Sequence, residues 1–127
     1  ADTVVAAGGR ILGKPGSHEE AERMIALLAG KTHQVYTGVT LIVCGREGGI
    51  RKTFAEKTDV HVYPMTEEEI HAYAFSEEPM DKAGAYGIQG KFASYIKGID
   101  GDYNNVVGLP VGRVYQEMKG LCSSLNA

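Results

Sequence analysis

The chain has 127 residues, with 13 Lys and Arg against 16 Asp and Glu and a formal net charge of -3. That length fits one domain able to bury roughly two thirds of its unfolded surface. Its 43% hydrophobic and 23% charged residues argue against disorder. The mild negative charge excludes a nucleic-acid polymer held on a broad basic face, and no apolar run reaches the roughly 18 residues of a membrane helix. Cys44 and Cys122 are too few for a disulfide framework, which fits a reducing, cytoplasmic location.

In chain order, residues 1–5 read as a strand, Gly8-Gly9 as a hairpin turn and Arg10-Ile11-Leu12 as the return strand. Ser17, with Glu20 in capping-box position, opens a helix whose Ala21, Met24, Ile25 and Leu28 share one face and which Gly30 ends. From Thr32 to Val43 the period changes to two with apolar residues on both faces, as in a central strand. A turn across Gly45-Arg46-Glu47-Gly48-Gly49 leads into a second long strand, Ile50 to Tyr63, polar in its first half and ended by Pro64. Thr66 and Glu69 form another capping box, ahead of a helix over 67–75 buried along Ile70, Tyr73 and Ala74. The stretch from Ser76 to Gly90 is irregular. Phe92 to Ile99 then reads as a strand, Asp100-Gly101 as a hairpin turn and Tyr103 to Val107 as the partner strand. Pro110 opens a final helix with Val111, Val114, Tyr115, Met118 and Leu121 on its apolar face. Strands and helices interleave with at least two hairpins, which predicts an α/β fold, a mixed sheet with flanking helices, in a single domain over 1–127.

Common chemical motifs are mostly missing. Gly84, Gly87 and Gly90 do not have dinucleotide-binding spacing, and there is no Walker loop. The histidines at 18, 33, 61 and 71 lack paired metal spacing. Asp100, Asp102 and Asn104 imitate a calcium loop, but Asn105 stands where Gly is needed and Val111 where Glu is needed. Glu67-Glu68-Glu69 suits a first helical turn, and neither cysteine has an evident partner base.

Four places stand out. Asp2 is a carboxylate in an otherwise apolar strand, where it either ends the strand or faces a cleft. Lys14 sits between Gly13 and Pro15 on a loop leading into a helix, where a lysine and a helix N-terminus suit phosphate. Residues 81–90, from Asp81-Lys82 through Tyr86 and Gln89 to Gly90, set an acid, a base, a tyrosine and an amide among small residues that admit a ligand to the backbone. Residues 102–110 join a polar turn to a strand and a helix start.

In this order the segments resemble the Maf family of nucleoside triphosphate pyrophosphatases. The match runs from Ala-Asp-Thr-Val-Val at 1–5 through Gly-Lys-Pro at 13–15, the Glu-rich helix and Thr32-His33-Gln34-Val35-Tyr36-Thr37-Gly38-Val39. It continues with Glu78-Pro79 and Asp81 to Gly90, its most specific stretch, and closes on Val106-Val107-Gly108-Leu109-Pro110. Glu77 departs from the glycine common in the family at that place.

The resemblance implies an architecture like that of inosine triphosphate pyrophosphatases. It also implies cleavage of a nucleoside triphosphate between the α and β phosphates, with Mg²⁺ or Mn²⁺. Asp2 matches the acid that activates water and binds metal, while Lys14 and Lys82 match lysines that neutralise triphosphate and Asp81 falls in the same substrate-binding stretch. Thr3 and Gln89 resemble the branch acting on dTTP and UTP, since an amide can both donate to and accept from a pyrimidine edge. A homodimer is the partner state the family suggests. The alternative is a non-catalytic regulator or nucleotide-binding module linked to inhibition of septum formation. The family's N-terminal strand and Ser-x-Ser-Pro-Arg-Arg loop do not occur in these residues. The expectation is therefore a C-terminal two thirds of the family domain, inactive alone, with a sheet edge and an apolar face uncovered.

Overall fold

The computed structural model describes residues 1–45 and 48–126. Five strands form one sheet: β1 (Asp2–Ala7), β2 (Arg10–Leu12), β3 (Thr32–Gly45), β4 (Gly48–Val62) and β5 (Ile96–Asp100), in the spatial order β2-β1-β3-β4-β5. Four helices flank it: α1 (His18–Leu28), α2 (Glu67–Ala74), α3 (Tyr103–Val107) and α4 (Val111–Asn126). Between α2 and β5 the chain makes three short 3-10 turns, Glu78–Asp81, Ala83–Ala85 and Lys91–Tyr95.

The expected α/β class is what the structure has. Its sheet, however, pairs antiparallel at every described junction, so the parallel pairing that would make it mixed is not found among the described residues. The reason lies at the start of the chain. β2 reverses direction straight after β1 through Gly8 and Gly9, both at positive φ, so the connection through α1 returns β3 antiparallel to β1.

Local chemistry explains most boundaries. The Ser17 hydroxyl accepts from Glu20 N at 3.1 Å, while the Glu20 carboxylate takes the Gly16 N–H rather than the Ser17 N–H. At α2 the capping box is complete, with Thr66 and Glu69 each accepting the other's backbone N–H. Part of the turn expected over 45–49 falls on residues 46 and 47, outside the described residues. The core is a single cluster in which Ala21, Ile25 and Leu28 of α1 meet Val5, Val35 and Val60 of the sheet, with Tyr73, Tyr86 and Phe92 closing it.

Three expectations are corrected. Residues 91–95 form a 3-10 turn, so β5 starts only at Ile96. Residues 103–107 form a helix instead of a hairpin strand. Asp102 caps it by accepting from Asn104 N at 3.2 Å, and fully buried Asn105 donates to the Val35 and Glu56 carbonyls at 3.1 Å and to Thr58 Oγ1 at 3.0 Å. That anchoring overrides the strand propensity of Tyr and Val. Finally, α4 is a helix as expected, but of its apolar face only Leu121 is buried, while Val111, Tyr115 and Met118 stay exposed. α4 docks instead through Arg113, whose guanidinium lies 4.6 Å from the Phe54 ring centre and 3.7 Å from Glu56, and through a Lys52–Glu117 ion pair. The outer edge of the sheet, β2, shows Ile11 to solvent.

Candidate active site

The cleft that gathers three of the six sequence candidates has a volume of about 530 Å³ and opens between β1, β3, the 3-10 turns and the α3–α4 junction. Thr3, Lys82 and Gln89 line it, with Gly87, Gly90 and Gly108 contributing backbone. β1 presents Thr3 and Val5 to the cleft because alternate strand residues share a face.

The Thr3 hydroxyl lies 2.9 Å from that of Thr37 and donates to the Gly108 carbonyl at 3.1 Å. The Thr37 hydroxyl also lies 3.4 Å from the Asn105 carbonyl, so the two threonines form one hydrogen-bonded chain between β1, β3 and α3. Thr3 thus ties β1 to β3 and to the glycine that ends α3.

The loop carrying Lys82 and Gln89 is built on small residues for steric reasons. Gly84 has φ +74°, and a Cβ there would come within 2.9 Å of the Val5 side chain. Its N–H donates to the Gly13 carbonyl at 3.1 Å, which stitches the loop to the Gly13-Lys14-Pro15 segment. The Lys82 stem lies across Gly87, where an added Cβ would sit 2.7 Å from Lys82 Cε. Lys82 Nζ pairs with Asp81 at 3.1 Å, and that lysine, with Lys14 more distantly, holds the Asp81 carboxyl below its usual range.

Placement divides the candidates into two groups. Thr3, Lys82 and Gln89 converge on the cleft. Asp2, Lys14 and Asp81 are exposed and do not line it. Asp2 is the first residue of β1, on the strand face opposite Thr3. Lys14 lies just beyond β2, in the Gly13-Lys14-Pro15 segment whose Gly13 carbonyl accepts the Gly84 N–H. Among the described residues no three His, Cys, Asp or Glu side chains converge as a metal cage. An exposed carboxylate such as Asp2 suits Mg²⁺ or Mn²⁺ only in the mode where one or two carboxylates share the ion with substrate phosphates.

Tyr86 and Glu78 lay within segments the sequence singled out, but neither was assigned a role there. Tyr86 lines the cleft and meets buried His33 at 2.6 Å. Burial pushes the Tyr86 phenol up and, with a smaller push from His61, lowers His33 to about 4. Glu78 also lines the cleft, with one carboxylate oxygen accepting from Tyr73 and the other from Lys91 N at 2.9 Å. Partial burial works to raise Glu78, but the Tyr73 hydroxyl, the Lys91 and Phe92 N–H groups and Lys82 outweigh it and hold the carboxyl low. A tyrosine on a buried helical stripe was the available clue, because its hydroxyl must find a partner.

Among the described residues no helix is long and apolar enough to cross a membrane. The chain matches the family profile described as Maf-like protein over residues 1–121. It is 61% identical over 122 residues to a protein of Agathobacter rectalis named dTTP/UTP pyrophosphatase, covering 95% of this chain and 60% of that relative. Proteins of the same name from Lachnoclostridium phytofermentans and Carboxydothermus hydrogenoformans are 52% and 55% identical over 119 residues. They cover 93% and 94% of this chain and 60% and 63% of their own lengths. The chain thus spans about 60% of the length of the curated relatives it matches.

Proposed function

From the premise that this chain belongs to the Maf-like protein family, we propose that it carries the base-reading part of a nucleoside triphosphate pyrophosphatase acting on dTTP and UTP. The observation that carries this is one cleft lined together by Gln89, Thr3 and Lys82 with Gly87, Gly90 and Gly108. An amide offers a donor and an acceptor side by side, which matches the carbonyl and N–H edge of thymine or uracil.

Lys82 and Lys14 take the triphosphate. In a chain of net charge -3, placed lysines have to supply the cationic charge, and phosphoryl transfer gains chiefly from such positioning. Asp2, exposed at the head of β1 next to Thr3, accepts a proton from water as the oxygen adds to phosphorus. The α–β bridging bond breaks, and pyrophosphate leaves the monophosphate. A divalent cation held by Asp2 and substrate phosphate oxygens would supply charge neutralisation when bound. The same names on the relatives support the choice of pyrimidine substrates.

The test is pyrophosphate release from a panel of dTTP, UTP, dCTP, dATP and dGTP with Mg²⁺ or Mn²⁺, comparing Asp2→Ala with its parent. It is run on the longest natural polypeptide that carries these residues. Release confined to dTTP and UTP and abolished by Asp2→Ala is expected. Equal turnover of purines, or activity that survives the substitution, refutes the proposal.

A further inference from the structure

The turn that carries Gln89 is held from outside the cleft. Tyr73, on α2 and 5% exposed, donates its hydroxyl proton to Glu78 and accepts the Gly87 N–H at 3.3 Å. The other Glu78 oxygen accepts the Lys91 N–H. One phenol–carboxylate pair therefore grips both ends of the 87–91 segment. Between these ties the segment closes on itself through Gly90 N to the Gly87 carbonyl at 3.2 Å, with Gln89 at its tip. Gly90 is required by the same arrangement, because a Cβ at that position would overlap the Glu78 carboxylate.

We propose that Tyr73, acting through Glu78, is a positioning residue that sets the Gln89 amide and with it the preference for a pyrimidine base. The proposal rests on the cleft's role in nucleotide binding stated above. Glu78 borders the cleft, yet each of its oxygens already accepts a hydrogen bond, so it supports the loop rather than serving as a free base. Burial, the Glu78 hydrogen bond and the nearby carboxylate keep the Tyr73 phenol protonated, as a donor must be. The Tyr73 ring packs 4.9 Å from fully buried Phe92, a contact that survives loss of the hydroxyl. Positioning matters here because a hydrogen-bonding site loses selectivity as its polar groups become free to move.

Two variants separate positioning from charge. Tyr73→Phe keeps the ring and removes both ties made by the hydroxyl. Glu78→Gln keeps the side-chain size but leaves one acceptor for two donors, the Tyr73 hydroxyl and the Lys91 N–H. Binding of dTTP and dGTP is measured by calorimetry on the parent and both variants, with hydrogen exchange at the Gly87 and Lys91 amides. In Tyr73→Phe the expected result is lost amide protection at Gly87 and a dTTP-to-dGTP preference reduced about tenfold, the size of one lost hydrogen-bond contribution. Glu78→Gln, which breaks the same pair from its other side, is expected to lower both in the same direction. An unchanged preference in Tyr73→Phe overturns the proposal. So does loss of dTTP binding in Glu78→Gln with Tyr73→Phe like the parent, since Glu78 would then act by charge. A parent that binds dTTP no better than dGTP overturns the cleft's pyrimidine role itself, and the selection role with it.

Discussion

His33 Nε2 lies 2.6 Å from the Tyr86 hydroxyl, and its Nδ1 is buried with no partner among the described residues. Burial and the nearby His61 hold His33 neutral, lowered from 6.5 to about 4. The unfolded chain therefore binds the extra proton that the folded chain refuses between those values. This contribution to stability is complete above pH 6.5, falls as pH drops through the window and is lost by about pH 4. Its full size is about 3 kcal/mol. Urea denaturation from pH 8 to pH 4 should show that loss. His33→Gln should flatten the corresponding part of the profile, whatever the shared effect of the carboxylates.

Asn105 joins the β3 and β4 backbones to α3 through its side-chain amide, deep in the core. Replacing it with Ala removes its hydrogen bonds to the Val35 and Glu56 carbonyls and to Thr58 Oγ1. Asn105→Ala should destabilise the fold by about 2–4 kcal/mol, read as a lower urea midpoint with little change in slope.

Thr3→Val tests the tie between β1 and the α3–α4 junction at nearly constant volume. The Gly108 carbonyl and the Thr37 hydroxyl would each lose a partner. The expected cost is about 1–2 kcal/mol of stability, together with weaker dTTP binding by calorimetry. Binding equal to the parent would remove Thr3 from the site.

Gly84→Ala combines a left-handed backbone with a contact at 2.9 Å to Val5. Thermal unfolding should show a loss of about 1–3 kcal/mol, and nucleotide binding should fall with it because Lys82 and Gln89 share that loop.

Gln89 is exposed at the cleft, so Gln89→Glu should leave the melting temperature nearly unchanged. Replacing its donor by a second acceptor should lower dTTP affinity about tenfold. Equal affinity would exclude Gln89 from base recognition.

Much of this protein was legible from local pattern. The Gly8-Gly9 hairpin, the helix started by Ser17, the capping box of Thr66 and Glu69 and the two long strands follow from hydrogen-bond chemistry within a few residues and from periodicity. Gln89, Lys82 and Thr3 were also visible as candidates, because residue type and order carried them. Residues 103–107 were not legible. Their Tyr and Val content favours a strand, and the helix exists because Asn105 finds partners on β3 and β4, 70 and 49 residues away.

The amino-acid sequence by itself carried the family, the α/β class and a set of polar groups proposed for nucleotide binding. Only the tertiary structure decided which of them share a cleft. Strand alternation turned Thr3 inward and left Asp2 on the opposite face, and long-range hydrogen bonds from Tyr73 and Glu78 shaped the loop that presents Gln89. The physical reason is that a residue's chemistry is local, whereas its direction and neighbours depend on pairings between segments far apart in the chain.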